Sequence, residues 1–241
     1  MSKSSKIFIT GDIHRTNDIS KLVNFTIDQK SLTKNDYLIV AGDFGALWHG
    51  YKSSQDEQVL NLYKEQFPWT TLWIDGNHEN FDQIEQYKKE KWNGGYVHKI
   101  NDSVIHLMRG QVYTINNLKF FTMGGGVSID KEYRIPGLSW WPQEMPSSKE
   151  YDEALKNLRK NNLEVDYIVT HSCPYSYLKK TFSDTYYKTE FKDELNYWLD
   201  YIDTDLKVKY KHWYYGHYHL DKEVDDKHTA LYNEIVQIQT K

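Results

Sequence analysis

The sequence predicts an α/β protein of mixed β-sheets flanked by helices, in one domain. Three observations carry that prediction. Over the first third of the chain, short apolar runs alternate with amphipathic runs of helical period, the pattern of parallel strands joined by crossover helices. The texture then changes to closely spaced short strands. At 241 residues, with no repeat, low-complexity tract or linker, the chain is long enough to bury one substantial core.

The elements follow in order. Residues 1–5 read as a loose tail, and "KIFITGD" as a strand ending in a turn. "DISKLVNFTIDQ" places Ile19, Leu22, Val23 and Ile27 at helical spacing, with Asn17 or Asp18 as its cap. "DYLIVAGD" is a second strand, Gln58 to Phe67 a helix stopped by Pro68, and "WTTLWIDGN" a third strand. "YVHKI", "SVIHLM", "QVYTI" and "KFFTMGG" are short strands, the last two joined by an Asn116-Asn117 hairpin turn. "PSSKEYDEALKNLRKNN" is a helix opened by a Ser147/Glu150 capping box. "VDYIVTH" is a buried strand and "TEFKDELNYWLDYI" an amphipathic helix. "KHWYYGHYH" and "ALYNEIVQIQ" are late strands.

Composition narrows the classes. A net charge of -4 lacks the basic excess of a general nucleic-acid binder. The lone Cys173 excludes an internal disulfide and points to a reducing, cytoplasmic setting. No apolar run is long enough for a signal core or a bilayer span, so no membrane partner is expected. The 15% aromatic content is assigned to ordinary packing.

Five apolar segments end in polar residues of one kind. "ITGDIH" supplies Asp12 and His14, "IVAGDF" Asp43, "WIDGNHE" Asn77 and His78, "IVTH" His171, and "YYGHYH" His217 and His219. Each piece alone is an ordinary turn or a surface histidine. Together they sit at the same end of their segments, and parallel strands gather ligands beyond their carboxyl ends. Imidazole and carboxylate donors suit Zn, Fe, Mn or Ni and are the donor types of two-metal hydrolytic sites.

The ordered series "GDIH … GD … GNHE … TH … GHYH" resembles the calcineurin-like metallophosphoesterase superfamily, from Gly11 to His219. The resemblance implies a four-layer α/β sandwich with two β-sheets. It also implies a dinuclear-metal hydrolase of phosphate esters that uses a metal-bridging hydroxide, with manganese favoured. One cation is expected on Asp12, His14, Asp43 and His219, the other on Asp43, Asn77, His171 and His217, with Asp43 shared. His78 is expected to face the substrate and protonate the leaving oxygen or stabilise the transition state, and Glu79 to support the site from behind.

The sequence departs from many phosphoprotein phosphatases of that superfamily in "GDFGALWHG". There Ala46 and Leu47 replace the Asp that partners the catalytic His and the Arg that grips phosphate. Arg15, next to His14, is the expected substitute clamp, with Arg109 and Arg134 as weaker candidates, and His49 is a candidate to line the site. The remaining histidines (98, 106, 212, 228) are read as structural or exposed, and "SWWPQE" as packing rather than a wall for a nucleobase. Cys173 lacks the surroundings of a nucleophile. The metallo-β-lactamase-like "HYHLD" lies too near the C-terminus, with only His228 after it. The expected substrate is a phosphomonoester or phosphodiester, a nucleotide among the options. A nuclease and a phosphoprotein phosphatase are the alternatives. An inactive binding protein is disfavoured because every ligand position is filled.

Overall fold

The computed structural model describes residues 5–182 and 191–239. The tail assigned to residues 1–5 therefore falls almost wholly outside the described residues, as do positions 189–190 of the helix assigned from Thr189.

The first third follows a strand–helix–strand plan: β1 (Ile7–Thr10), α1 (Ser20–Val23), β2 (Tyr37–Val40), α2 (Ser54–Gln66) and β3 (Thr70–Trp73). Then come α3 (Phe81–Ile84), β4 (Lys89–Trp92), β5 (Gly95–Asn101), β6 (Val104–Leu107), β7 (Gln111–Ile115) and β8 (Leu118–Met123). The chain closes with α4 (Ser148–Lys160), β9 (Tyr167–Thr170), α5 (Tyr175–Thr181), α6 (Glu194–Thr204), β10 (His212–Tyr215), β11 (Lys222–Glu223), β12 (His228–Ala230) and β13 (Ile235–Ile238). Two sheets form, in the orders β13-β1-β2-β3-β6-β5-β4 and β11-β12-β10-β9-β8-β7. In the first, β1, β2, β3 and β6 are mutually parallel; in the second, β8, β9, β10 and β12 are.

The layering follows from side-chain alternation. Ile7 and Ile9 face the space between the sheets with Ile39, Leu72, Phe120, Val169 and Tyr214. Phe8, Leu38, Val40 and Trp73 point the other way, onto Val59, Leu60 and Tyr63 of α2. Ile168, Trp213 and Tyr215 pack outward under Leu158 of α4, Leu178 of α5 and Leu199 of α6. Strands apolar on both faces need cover on both sides, which gives helix, sheet, sheet, helix.

Several details differ from the sequence reading: α3, α5 and β11 are unforeseen, and the helix read from Thr189 begins at Glu194. The helix expected from Asp18 shrinks to the single turn Ser20–Val23 without a side-chain cap. Asp18 is spent elsewhere, accepting from His14 and Tyr232. The second helix starts earlier, because Ser53 Oγ accepts from Asp56 N at 3.1 Å. Strand β4, unforeseen, forms a hairpin with β5 through Asn93-Gly94, both at positive φ (48° and 98°). The closing strand is two: Asp221 accepts the backbone N–H groups of Tyr232, Asn233 and Glu234 between β12 and β13, where the chain crosses from one sheet to the other.

Candidate metal centre

The polar residues at the strand ends come together. Asp12 and His14 follow β1, Asp43 follows β2, Asn77 and His78 follow β3, His171 follows β9, and His217 and His219 follow β10. His14, Asp43, His217 and His219 all take positive φ (47°, 49°, 70° and 51°), a conformation non-glycine residues rarely adopt. Such strain persists where the surroundings over-determine it, and it clusters at functional sites. Two glycines show how tight the turns are. A Cβ on Gly42 would lie 2.0 Å from His171 Nδ1, and one on Gly76 would lie 2.1 Å from Asp43 Oδ1.

Asp12 and Asp43 are buried at the centre. Asp12 Oδ1 accepts from His217 N at 3.0 Å, and its Oδ2 is 3.1 Å from His219 Nε2. Asp43 Oδ1 accepts from His78 N at 2.7 Å and is 3.4 Å from His171 Nε2; its Oδ2 is 3.4 Å from His14 Nε2. His171 Nε2 also lies 3.1 Å from Asn77 Oδ1. Three groups each bring one ligand atom per residue within 4.8 Å: Asp12, His14 and His219; Asp12, Asp43 and His171; and His14, Asp43 and His78.

The charges show what the arrangement lacks. Burial alone would raise both carboxyls. The histidines facing them outweigh burial and hold Asp12 below its ordinary value and Asp43 well below. In return, despite burial, His14 and His171 are raised to about 9 by the same carboxylates. Burial and His171 push His217 down to about 3, so its ring stays neutral. Buried His217 Nε2 has no hydrogen-bond partner among the described residues, and buried Asp12 Oδ2 meets only the His219 ring nitrogen at 3.1 Å. Two buried carboxylates calling for positive charge, beside a neutral imidazole nitrogen without a donor, fit a site for cations.

Residues behind the donors orient them. Asp18 Oδ2 takes His14 Nδ1–H at 2.7 Å and the Ala41 carbonyl takes His171 Nδ1–H at 2.8 Å, so each Nε2 is left to face the centre. Tyr232 donates to Asp18 Oδ1 at 3.0 Å while its ring stacks on His219, centroids 4.6 Å apart. Asn77 Nδ2 donates to Ser128 Oγ at 3.2 Å, which turns its Oδ1 inward. Glu79 is fully buried and accepts from Phe44 N at 2.8 Å and Gly45 N at 3.2 Å, fixing the loop after Asp43. Burial, with Asp43 and Asp75 nearby, pushes its carboxyl well above the usual range. Asp18 was read in the sequence as a helix cap and not as a support of the site, and Ser128 and Tyr232 were not singled out. Asp18 alone had a local signal, four residues beyond His14.

A cavity of about 370 Å³ opens on the donors. Asp43, Asn77, His78, His217 and His219 form one side; Val127, Ile129, Phe182, Phe191 and Tyr218 form an apolar side. Arg134 reaches His78: its Nη2 is 3.5 Å from Nε2, while Asp130 grips the guanidinium at 2.6 and 2.8 Å. Burial and the Arg134 charge lower the His78 pKa, so the ring is uncharged near neutrality.

Arg15 is not brought to the cavity. Its guanidinium donates to Asp56 Oδ1 at 2.6 Å and to Gln55 O at 2.8 Å, because Asp56 is a buried carboxylate that would otherwise lack its cation. His49 joins the same cluster, 3.0 Å from Asp56. Arg109 is buried against Asp75 at 2.7 Å. Of the substitute clamps considered, Arg134 is the one at the site. Ala46 and Leu47 are wholly buried in the core beside α2, so no polar pair takes the places they fill. Trp141 is packed on Trp48 and donates to Asp82 at 2.8 Å, and Cys173 is buried with its thiol pushed up to about 12 by burial.

The family model described as calcineurin-like phosphoesterase matches residues 5–221. No curated protein matches the sequence. Among solved structures, the chain is similar to the phosphopantetheinyl hydrolase PptH from Mycobacterium tuberculosis, with 16% identity and a TM-score of 0.43, covering 96% of this chain and 91% of that one. No helix among the described residues is long and apolar enough to cross a membrane.

Proposed function

The chain belongs to the calcineurin-like phosphoesterase family and is a metal-dependent hydrolase of phosphate esters; on that premise we propose that it works on two cations, with Asp43 shared between them. Asp12, His14, Asp43 and His219 would hold one, and Asp43, Asn77, His171 and His217 the other. The observation that carries the reading is the convergence of imidazole, carboxylate and amide donors from five strand ends on the buried Asp12 and Asp43, with His217 Nε2 lacking a partner among the described residues. Bound there, divalent metals would polarise the phosphoryl oxygens and supply a water of lowered pKa. Manganese is the favoured metal among Mn, Fe, Zn and Ni: the carboxylate and amide oxygens suit it, and the imidazoles suit Zn, Fe and Ni as well.

The protein's own groups then orient and charge the substrate. Asn77 is a neutral donor, so the centre stays positive enough to receive an anion. Arg134, held by Asp130, faces the incoming phosphoryl group in the role first given to Arg15. His78 gives a proton to the leaving oxygen once the bound anionic phosphoryl group has raised its pKa and charged the ring, whose Nε2 lies 4.0 Å from Asp43 Oδ2 and 3.5 Å from Arg134 Nη2. The small cavity suits a compact monoester or diester, a nucleotide included, in one catalytic domain. The core aliphatics Ala46 and Leu47 weigh against a phosphoprotein phosphatase, and the acidic balance weighs against a general nuclease.

Metal analysis of the purified protein, with rates on aryl phosphate monoesters and bis-esters and then on cyclic nucleotides and oligonucleotides, tests this reading. Near-stoichiometric transition metal and Mn²⁺-stimulated hydrolysis are expected. Protein without metal and without Mn²⁺-dependent turnover would end it. His78→Ala is expected to keep its metals and lose roughly 10²–10⁴ in kcat. Loss of metal along with rate would make His78 a ligand instead.

A further inference from the structure

A second, larger cavity of about 850 Å³ lies on the far side of the turn that carries Asn77, and the metal centre does not use it. Its floor is a buried chain of polar side chains. Asp75 Oδ2 accepts from Arg109 Nε at 2.7 Å, Asp75 Oδ1 is 3.1 Å from His106 Nε2, and His106 Nδ1 is 3.1 Å from His98 Nδ1. A carboxylate cannot donate, so His106 Nε2 carries the proton toward Asp75. In the uncharged pair His106 Nδ1 then accepts from His98 Nδ1–H, which leaves the lone pair on His98 Nε2. That nitrogen makes no hydrogen bond among the described residues, and His98 is 8% exposed.

The walls are apolar: Phe81, Ile84, Met108 and Met145. The rim carries the carboxylates of Glu85 and Glu150. Arg109 brings the one positive charge of this lining, and it is committed to Asp75, to the Gln143 and Glu144 carbonyls at 2.8 and 3.3 Å and, at 3.6 Å, to Glu150 Oε2. Glu150 Oε2 also accepts from Ser147 N and Oγ, so Glu85 and the other Glu150 oxygen are left facing the cavity. Acceptors therefore outnumber free donors, and the lining is net negative around an apolar body. The volume is that of a small-molecule site.

We propose that this cavity binds an amphipathic organic cation, an ammonium or amidinium on an apolar body, whose charged end sits between Glu85 and Glu150 and donates to His98 Nε2. Its apolar part packs on Met108 and Met145, whose flexible thioethers adapt to varied shapes. The proposal is independent of the hydrolytic reading, because it needs neither metal nor turnover.

The test is calorimetric titration of the purified full chain with benzamidine, with isosteric benzamide and benzoate as neutral and anionic controls. Benzamidine is expected to bind with a Kd below about 1 mM and at least tenfold tighter than either control. Glu85→Gln/Glu150→Gln, on exposed or half-exposed positions, should fold normally by circular dichroism and weaken benzamidine about tenfold or more. His98→Phe should also weaken it. Equal binding of benzamide, benzoate and benzamidine, or unchanged affinity in the folded Gln/Gln variant, would overturn the proposal. Binding that persists in Asp43→Asn supports it, and loss there would move the ligand to the metal centre.

Discussion

Two buried carboxylate–histidine clusters stand back to back on the turn after β3, and they differ in how completely they satisfy themselves. Around Asp12 and Asp43, one imidazole nitrogen has no hydrogen-bond partner among the described residues, one carboxylate oxygen meets only the His219 ring at 3.1 Å, and four donor residues sit at positive φ. Around Asp75, both oxygens are engaged, by Arg109 at 2.7 Å and His106 at 3.1 Å, and no member of that cluster is at positive φ. The carboxylates are buried in both, and both pair carboxylate with imidazole. The difference lies in the source of the compensating positive charge. The Asp75 cluster carries its own in Arg109, whereas the other must borrow it from protonated histidines or a bound cation. Unfilled valence in a strained frame marks a site for metals; a closed ion pair marks a brace.

The sharpest way to break this comparison is to remove the shared carboxylate. Asp43→Asn is expected to lose both metals and on the order of 10³ or more in turnover, since Asp43 faces His14, His171 and His78 at once. Metal analysis beside kinetics checks it, and unchanged stoichiometry would show that Asp43 is no bridge. Arg109→Met makes the opposite test. It should leave metal content near wild type but cost about 3–5 kcal/mol in urea unfolding, because Asp75 is left buried without its cation. Equal stability would mean that the brace is not one.

Much of the first cluster was legible in the sequence, and the reason is local. Each donor follows a strand directly, so "TGD", "AGD", "GNH", "VTH" and "GHYH" place it without knowledge of the rest of the fold. The supports behind the donors depend on contacts between distant segments. Ser128 meets Asn77 across 51 positions, Arg134 meets His78 across 56, and Tyr232 meets Asp18 across 214. Arg15 shows the reverse failure: it lies beside a donor in sequence, but the buried Asp56, 41 positions away, draws its side chain off. The alternation made a mixed sheet or pair of sheets flanked by helices legible, and the two-sheet sandwich followed from the family resemblance. The short first helix was not, since nothing in "DISKLVNF" shows that Asp18 serves His14 rather than a helix end.

A smaller change tests whether those distant supports matter. Asp18→Ala removes the acceptor of His14 Nδ1–H and of the Tyr232 hydroxyl while leaving every proposed ligand in place. Metal affinity is expected to fall roughly 10–100-fold, with kcat recovering at saturating metal. Asp18→Asn should recover part of the affinity, because its amide oxygen can still accept from one of them. No change in metal affinity in either variant would make Asp18 a surface tie only.

The smallest effect separates the clusters by pH. Burial, His106 and Lys89 together press the His98 pKa down to about 3, below its ordinary 6.5. The unfolded chain therefore takes up a proton on His98 at higher pH than the folded one does. Its contribution to stability is fully present above about pH 6.5 and drains away as the pH falls toward 3. His98→Asn keeps a donor for His106 but does not titrate. At pH 7 it therefore carries no advantage from this source, and below pH 6 the wild type should lose stability faster. The divergence should reach about 2 kcal/mol near pH 4.5, less than the shift alone implies because the ring is partly solvated. Denaturant unfolding of both proteins from pH 7 to 4.5 measures it. Parallel curves would show that His98 already holds its proton in the folded state. The hydrogen-bond direction along the Asp75 chain would then run the other way.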